Sequence, residues 1–251
     1  MSFRRCAQLA AWGTAWLRGR ESFDAVLDAV NGTGRPVAGP GFTPTPGLMP
    51  VPAALMDFRA AGVDQLRLAL PVAGDVRGLS GDPAFRDAAL TAGEAVFGGR
   101  IGLTCLVGPR TPSSAGRELV WWRTEAEPAP PDTLSLPEAE HQLAEALRET
   151  ASTLAARGAT SWLADVAPAL SNARRAGEKL HLPASHPSRA VRVIAQAERL
   201  SAVFVLIDSD DTGTLTAHDV AERAAALEPL RIAVRRALLA GYNAAAEVGA
   251  S

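Results

Sequence analysis

Six residues of one short stretch carry oxygen at the spacing that a hard cation needs. In DSDDTGTLTAHD, Asp208 to Asp219, Asp208 falls at position 1, Asp210 at 3, Thr212 at 5, Thr214 at 7 through its carbonyl, Thr216 at 9 and Asp219 at 12. Calcium takes six to eight oxygens, and a twelve-residue loop offers them at these places, with glycine at position 6 for the sharp turn. Gly213 stands there. The same residues also suit a turn without metal, because Asp, Ser, Thr and Gly satisfy free backbone groups, and Thr216 with Asp219 makes an [ST]-x-x-[DE] capping box for a following helix.

The stretch resembles the EF-hand family. Leu200, Val203, Phe204 and Ile207 occupy the four positions that the incoming helix of that family turns inward, and Val220, Ala224 and Leu227 comply downstream, while Arg223 does not. Thr212 stands where an aspartate or asparagine is usual, and Asp219 replaces a glutamate whose longer arm reaches calcium with both oxygens. The resemblance implies weak calcium binding at most. No second loop of this kind is present to pair with it.

A second candidate is the loop from Pro71 to Pro83, PVAGDVRGLSGDP, in which Gly74, Asp75, Gly78 and Gly81 lead into a helix N-terminus whose free amides could receive an anion. It matches neither phosphate-loop nor dinucleotide spacing. A small-molecule binder or enzyme would use Gly74 to Asp82 together with Trp122. No catalytic residue is assigned: Ser113 and Ser114 lack nucleophile-elbow surroundings, Cys6 and Cys105 have no neighbouring histidine, and His141, His181, His186 and His218 lie outside metal-ligand spacing and are read as solvated. No cofactor is expected, with calcium as the alternative.

These residues need elements to hold them. The 251 residues, 47% hydrophobic and 21% charged with a net charge of -2, describe a soluble protein with no electrostatic call for nucleic acid. Only Lys179 among the 25 basic residues is lysine, a coding preference of a GC-rich genome. Arg4 and Arg5 before an uncharged run resemble a targeting signal, but no small-x-small cleavage site follows, so we read an amphipathic helix with Leu9, Trp12 and Trp16 inward. No stretch is long enough to span a bilayer. The sequence predicts a cytoplasmic protein without membrane or nucleic-acid partners.

The pattern predicts an α+β fold in two domains: residues 1–125, a small, mostly antiparallel sheet of about three strands with helices; a Pro-rich linker, 126–136; and residues 137–251, an all-α bundle. Expected helices are Ser22 to Val30 capped by Ser22 and stopped at Asn31-Gly32, Leu55 to Ala61, and Asp82 to Phe97. Expected strands are Val63 to Val72, Ile101 to Val107 and Glu118 to Thr124. Between Asn31 and Pro52, prolines from Pro36 onward predict a long loop. In the second domain, Ser135 and Glu138 predict a capping box; helices follow from Leu136, from Thr160, from Ser188 to Ile207, and from Thr216 to Asn243 with a break or kink at Pro229. Acidic Glu138, Glu140, Glu145 and Glu149 face a basic middle containing Arg174, Arg175, Lys179, Arg189, Arg192 and Arg199, which predicts complementary surfaces within the bundle or between subunits.

As a whole, LALPVAGDVRGLSG, GEAVFGGRIGL and RRALLAGYNAA look similar to proteins of unknown function from high-GC Gram-positive bacteria. The leading expectation is a non-enzymatic interaction or regulatory protein that binds a protein partner or itself.

Overall fold

The computed structural model describes residues 4–32, 35–36, 48–107, 118–127, 134–156, 181–209 and 217–247. The chain is mixed helix and sheet, an α+β protein. Contacts cluster into two compact units, one of Ser2–Thr133, Leu182–His186 and Tyr242–Ser251, the other of Leu134–His181 and Pro187–Gly241. We call them the sheet unit and the helical unit.

The sheet unit opens with helix α1, Arg5–Leu17, every residue of which from Cys6 to Trp16 is buried. Leu9, Trp12 and Trp16 are inward as expected, but the helix is not amphipathic. Alanines and Gly13 fill its other faces, and small side chains let neighbours approach: a Cβ on Gly13 would lie 2.6 Å from Leu66 Cδ1. Helix α2, Phe23–Asn31, begins where Ser22 Oγ accepts the Ala25 N–H at 3.1 Å and ends at Gly32 with φ 52. Its predicted bounds hold to within a residue.

The Pro-rich stretch, read as loop, supplies two strand fragments. β1, Arg35–Pro36, pairs in parallel with Glu118–Leu119, and β2, Leu48–Met49, pairs antiparallel with Trp122 and Trp121. Proline tolerates only such edge positions, since it has no N–H for a ladder. Helix α3, Val51–Ala60, starts earlier than predicted because Pro52 sits in its first turn, where no intrahelical N–H bond is lost.

Strand β3 is Arg67–Ala69, shorter than the predicted Val63 to Val72, although Leu66, Leu68 and Leu70 are all buried. Helix α4, Pro83–Ala92, stops at Gly93 in the left-handed region (φ 72), and residues 95–98, expected to continue it, form strand β4, Ala95–Gly98. The apolar pair Val96 and Phe97 fits either periodicity; the αL stop and pairing on both sides decide for strand. Gly98-Gly99, read as a helix stop, instead ends β4 and opens a two-residue turn of Gly99 and Arg100 closed by Gly98↔Ile101, with Gly99 at φ 55. Positive φ at the first central residue is what such a turn demands. β5, Ile101–Val107, and β6, Glu118–Glu125, match their predictions. The order is β1-β6-β5-β4-β3, with β2 also on β6. About three strands were expected; six segments are described because short edge pieces carry little period-2 signal.

Register assigns the faces. Val96, Leu103, Cys105 and Trp121 share one, met by α1 and α3; Phe97, Thr104 and Trp122 share the other, met by α4 through Phe85 and Ala89.

In the helical unit, α5 is Leu136–Ala156, α6 Ser188–Ser209 and α7 Ala217–Glu247, the last also entering the sheet unit past Gly241. The capping box forms: the Ser135 N–H donates to Glu138 Oε2 at 2.9 Å and the Glu138 N–H to Ser135 Oγ at 3.4 Å. α5 buries Leu136, Ala139, Leu143 and Ala146; α6 buries Ala190, Val193, Ile194 and Ala197; α7 buries Leu230, Val234, Ala237 and Leu238. A Cβ on Gly241 would stand 2.5 Å from Ile194 Cγ1, so α6 and α7 touch closely there. Arg189 Nε meets Glu140 Oε2 at 2.8 Å, one ion pair between the acidic and basic groups of the helical unit. α7 continues through Pro229 as one helix, which excludes the break among the two expected alternatives. The helix predicted from Thr160 lies outside the described residues.

Candidate functional site

The two ends of the oxygen-rich stretch are seen. Asp208 sits in the last turn of α6, where both carboxylate oxygens accept from Arg231 of α7, at 2.6 and 3.1 Å. The guanidinium carbon also lies 4.6 Å from the centroid of the Phe204 ring. Asp208 therefore already has a cation, held by a fork of donors and an aromatic face. Asp219 lies in the first turn of α7, and Asp210, Thr212, Thr214 and Thr216 lie outside the described residues. Val203, Phe204, Ile207 and Leu227 are buried as the resemblance implies; Ala224, expected inward, is exposed. Among the described residues no three His, Cys, Asp or Glu side chains are grouped to hold a metal.

The Gly74 to Asp82 loop closes on itself. Val72 and Asp75 exchange backbone bonds of 3.0 and 2.9 Å around Gly74, and the Asp75 carboxylate takes Arg77 Nε at 2.9 Å and Nη2 at 2.6 Å. Gly78 and Gly81 both have positive φ. At Gly81 any side chain would also collide, 2.9 Å from Phe85 Cδ1 and 3.0 Å from Thr124 Cγ2. Asp82 then fills the α4 N-terminus: Oδ1 accepts the Phe85 N–H at 3.0 Å and Oδ2 the Thr124 hydroxyl at 2.8 Å. These donors hold its pKa below the ordinary carboxylate value, the Phe85 amide most of all. An aspartate of the chain itself thus takes the place an incoming anion would use.

From Asp82 the geometry leads to the outer edge of β6. A cavity of about 480 Å³ is lined by Leu48, Met49, Asp82, Trp122, Arg123, Thr124 and Glu125. Of the two tryptophans, Trp121 is 1% exposed, whereas Trp122 is half-buried and packs on the opposite face beside Phe85, Ala89 and Ala95. Arg123 turns to the first face and pairs with Asp57 of α3 at 3.0 Å.

The register of the hairpin fixes which backbone groups look outward. Gly98↔Ile101 closes a two-residue turn, so Ile101, Leu103 and Cys105 bond toward β4, and Gly102, Thr104 and Leu106 toward β6. Val120, Trp122 and Thr124 then bond inward to β5, and Leu119, Trp121, Arg123 and Glu125 present N–H and C=O to the outside. Leu119 meets β1 and Trp121 meets β2; among the described residues no strand pairs with Arg123 or Glu125 on that side. The opposite edge is closed. Leu68, the only residue of β3 facing outward, donates its N–H to Asn243 Oδ1 at 2.7 Å and accepts from Asn243 Nδ2 at 3.1 Å.

A cluster that sequence reasoning passed over lies at the start of α1. Glu94, just after the Gly93 stop, is buried, and its Oε1 accepts the Arg5 N–H at 2.8 Å. Its backbone carbonyl accepts the Thr104 hydroxyl at 2.8 Å. Burial pushes the Glu94 carboxyl up to about 7, with the Cys6, Arg5 and Ala7 amides and Arg4 partly offsetting it. Burial likewise lifts Cys105 to about 12 and Cys6 well above the ordinary thiol value. Both thiols are protonated and free, and the fold brings these distant cysteines to one region. His186, read as solvated, is buried at 5% exposure. An acidic residue directly after a glycine helix stop is the available signal for Glu94, and a Leu-Met pair ahead of Pro50 the signal for an edge strand at the cavity.

Two family models match consecutive parts of the chain. Residues 6–136 match the family model described as "Rv1486c-like protein, N-terminal domain", and residues 137–239 match that of its C-terminal domain. An uncharacterized protein of Mycobacterium tuberculosis (strain CDC 1551 / Oshkosh), MT1533, is 29% identical over 94% of this chain and 95% of its own. The uncharacterized protein Rv1486c of strain ATCC 25618 / H37Rv is 28% identical, and ML1804 of Mycobacterium leprae (strain TN) is 25% identical, each over 94% of this chain and 95% of its own. No solved structure matches. With both models together spanning most of its length, the chain belongs to the Rv1486c-like family of actinobacterial proteins.

Proposed function

We propose that this is a non-enzymatic interaction or regulatory protein of the cytoplasm, built from domains 1–125 and 137–251 about the linker 126–136, and that the groove beside Trp122 is where a protein partner docks. One observation carries the reading. The half-buried Trp122 lines a groove of about 480 Å³ together with Leu48, Met49, Asp82 and Glu125. An aromatic side chain that is partly open beside apolar and charged neighbours is the kind of anchor that recognition surfaces use. The groups with shifted protonation support the same view: Glu94, Cys6 and Cys105 are enclosed, and Asp82 is engaged in capping. Each has a structural task. In this reading the helical domain forms a closed bundle, and neither nucleic acid nor membrane takes part.

The test is a photo-crosslinking amino acid placed at Met49, and separately at Asp87 on exposed α4, with both proteins expressed in a mycobacterial host. A discrete crosslinked species from position 49 that position 87 does not give supports the reading. Identical patterns from both positions, or no species above the monomer, refute it.

A further inference from the structure

We propose that Cys6 and Cys105 are a latent disulfide site: an oxidant of the small-molecule disulfide class joins them and ties the first turn of α1 to β5. The proposal goes beyond the groove reading above and stands on different residues.

Placement comes first. Val96 pairs with Leu103, so Glu94, just before β4 begins, falls opposite Cys105. The Glu94 carbonyl accepts the Thr104 hydroxyl at 2.8 Å, and its Oε1 accepts the Arg5 N–H at 2.8 Å. One residue thereby fixes both the strand that carries Cys105 and the helical turn that carries Cys6. The Cys6 sulfur lies 4.0 Å from the Leu103 carbonyl oxygen and takes the Cys105 N–H. Leu103 and Cys105 share the face of β5 that α1 covers. The Cys6 sulfur therefore rests against the atom bonded to the Cys105 Cα, and the Cys105 side chain leaves that Cα toward α1. A disulfide asks for Cα atoms about 4.4–6.8 Å apart with their Cβ vectors turned toward each other. A sulfur of one residue seated on the backbone of the other meets that demand with a rotation of the side chains.

The step balances with the oxidant named. One cysteine thiolate attacks a sulfur of oxidised glutathione and releases a glutathione thiolate; the second cysteine thiolate then displaces the other glutathione from the mixed disulfide. Two electrons and two protons leave the protein, and two reduced glutathiones are formed.

Burial gates the reaction. It keeps both thiols protonated at neutral pH, the Glu94 charge adding to the effect and the Arg5 charge offsetting part of it, and neither sulfur is open to solvent. The link forms as the chain folds or when the start of α1 opens, and burial then shields it from reducing thiols. In a reducing compartment the pair rests as thiols. Under oxidant the link encloses roughly a hundred residues of chain, which restricts the unfolded state far more than a short loop would. Helix α1, buried on every side from Cys6 to Trp16, is then held to the sheet by a covalent bond at its start.

The test unfolds the full-length protein in urea, refolds it with excess oxidised glutathione, and alkylates the remaining thiols under denaturing conditions. The expected product is a monomer two hydrogens lighter, without label, whose digest yields a linked Cys6–Cys105 peptide. Folded protein held for days in the same buffer should reach the same product through its own opening. In glutathione redox buffers the ratio of linked to reduced protein should be at least about a hundredfold higher without urea than in concentrated urea. Cys6→Ser and Cys105→Ser should each fold, by circular dichroism, and take up one glutathione at most. A preference below about tenfold, glutathione on both cysteines in place of a link, or disulfide-joined dimers as the main product would overturn the proposal.

Discussion

Glu94 makes the stability of the sheet unit depend on pH in a direction opposite to that of most carboxylates. Its carboxyl is buried, Oε1 takes the Arg5 N–H, and burial outweighs the help that the Cys6, Arg5 and Ala7 amides and Arg4 give the charged form. The folded state therefore holds the proton more tightly than the unfolded chain does. Stability from this group is complete below the ordinary value of 4.5, declines as pH rises, and levels off above about 7. Raising the value from 4.5 to about 7 corresponds to a loss of about 3 kcal/mol between those limits. Replacing Glu94 by Gln keeps an oxygen for Arg5 and removes the charge. The amide nitrogen that replaces the other oxygen meets the donors at the start of α1 rather than an acceptor, a cost of about 1 kcal/mol or somewhat more. At pH 5 the two proteins should lie within about 1 kcal/mol of each other; at pH 8.5 the Gln variant should be more stable by about 2 kcal/mol. Guanidinium unfolding followed by tryptophan fluorescence at half-unit steps from pH 5 to 8.5 reads the difference. Parallel stability curves for the two proteins, or a wild type that gains on the variant as pH rises, would refute the reasoning.

Other changes test separate joints. Asn243→Ala leaves the Leu68 N–H and C=O without their partner and should cost about 2 kcal/mol, with the Leu68 amide exchanging much faster by hydrogen–deuterium exchange. Gly98→Ala would bring a Cβ to 2.6, 2.8 and 2.9 Å from Leu66, Val63 and Phe58, and should destabilise by roughly 1–3 kcal/mol in a denaturant titration. Calorimetric titration with calcium should give no heat below millimolar concentration, because Arg231 occupies both oxygens of Asp208; heat that disappears in Asp208→Ala would count against this. A thiol reagent such as dithionitrobenzoate at pH 8 should label neither Cys6 nor Cys105 until the protein is unfolded, since both are buried and fully protonated.

Much of the fold could be read locally, and the exceptions share a cause. Ser22, Asp82 and the Ser135–Glu138 pair announce their helices because a cap needs only residues within one turn. β5 and β6 are long enough to show alternation, and Trp121 and Trp122 fall on opposite faces as period 2 requires. Residues 95–98 went to helix in the prediction because four apolar or small residues carry no decisive period; their strand identity comes from partners on both sides. The burial of α1 on every side was equally hidden, since Ala and Gly report nothing about their surroundings until neighbours are placed. Pro229 does not break its helix: the single amide bond that it removes is not enough to end a helix whose flanking residues Leu227, Leu230 and Val234 are buried.

The candidate site was legible only in pieces. Asp82 stood out as a cap and Trp122 as a possible anchor, yet nothing local joins them, because the Thr124 hydroxyl that links Asp82 to β6 is 42 residues away. The edge itself is a property of register, which no short window contains. The β3 edge shows the same dependence on distant residues. α7 continues past Pro229 far enough to deliver Asn243 to Leu68, and in the same stretch Arg18 Nη1 donates to the Ala245 carbonyl at 2.6 Å, fixing the helix that makes the cover. A short strand of three residues thus has its single outward residue matched by a carboxamide, donor to acceptor and acceptor to donor. Along β6, among the described residues, β1 lies against Glu118 and Leu119 and β2 against Trp122 and Trp121. Arg123 is directed to Asp57 on the face that α3 covers, and Trp122 on the other face meets Phe85, Ala89 and Ala95, so consecutive residues of one strand serve two separate layers, as period 2 requires.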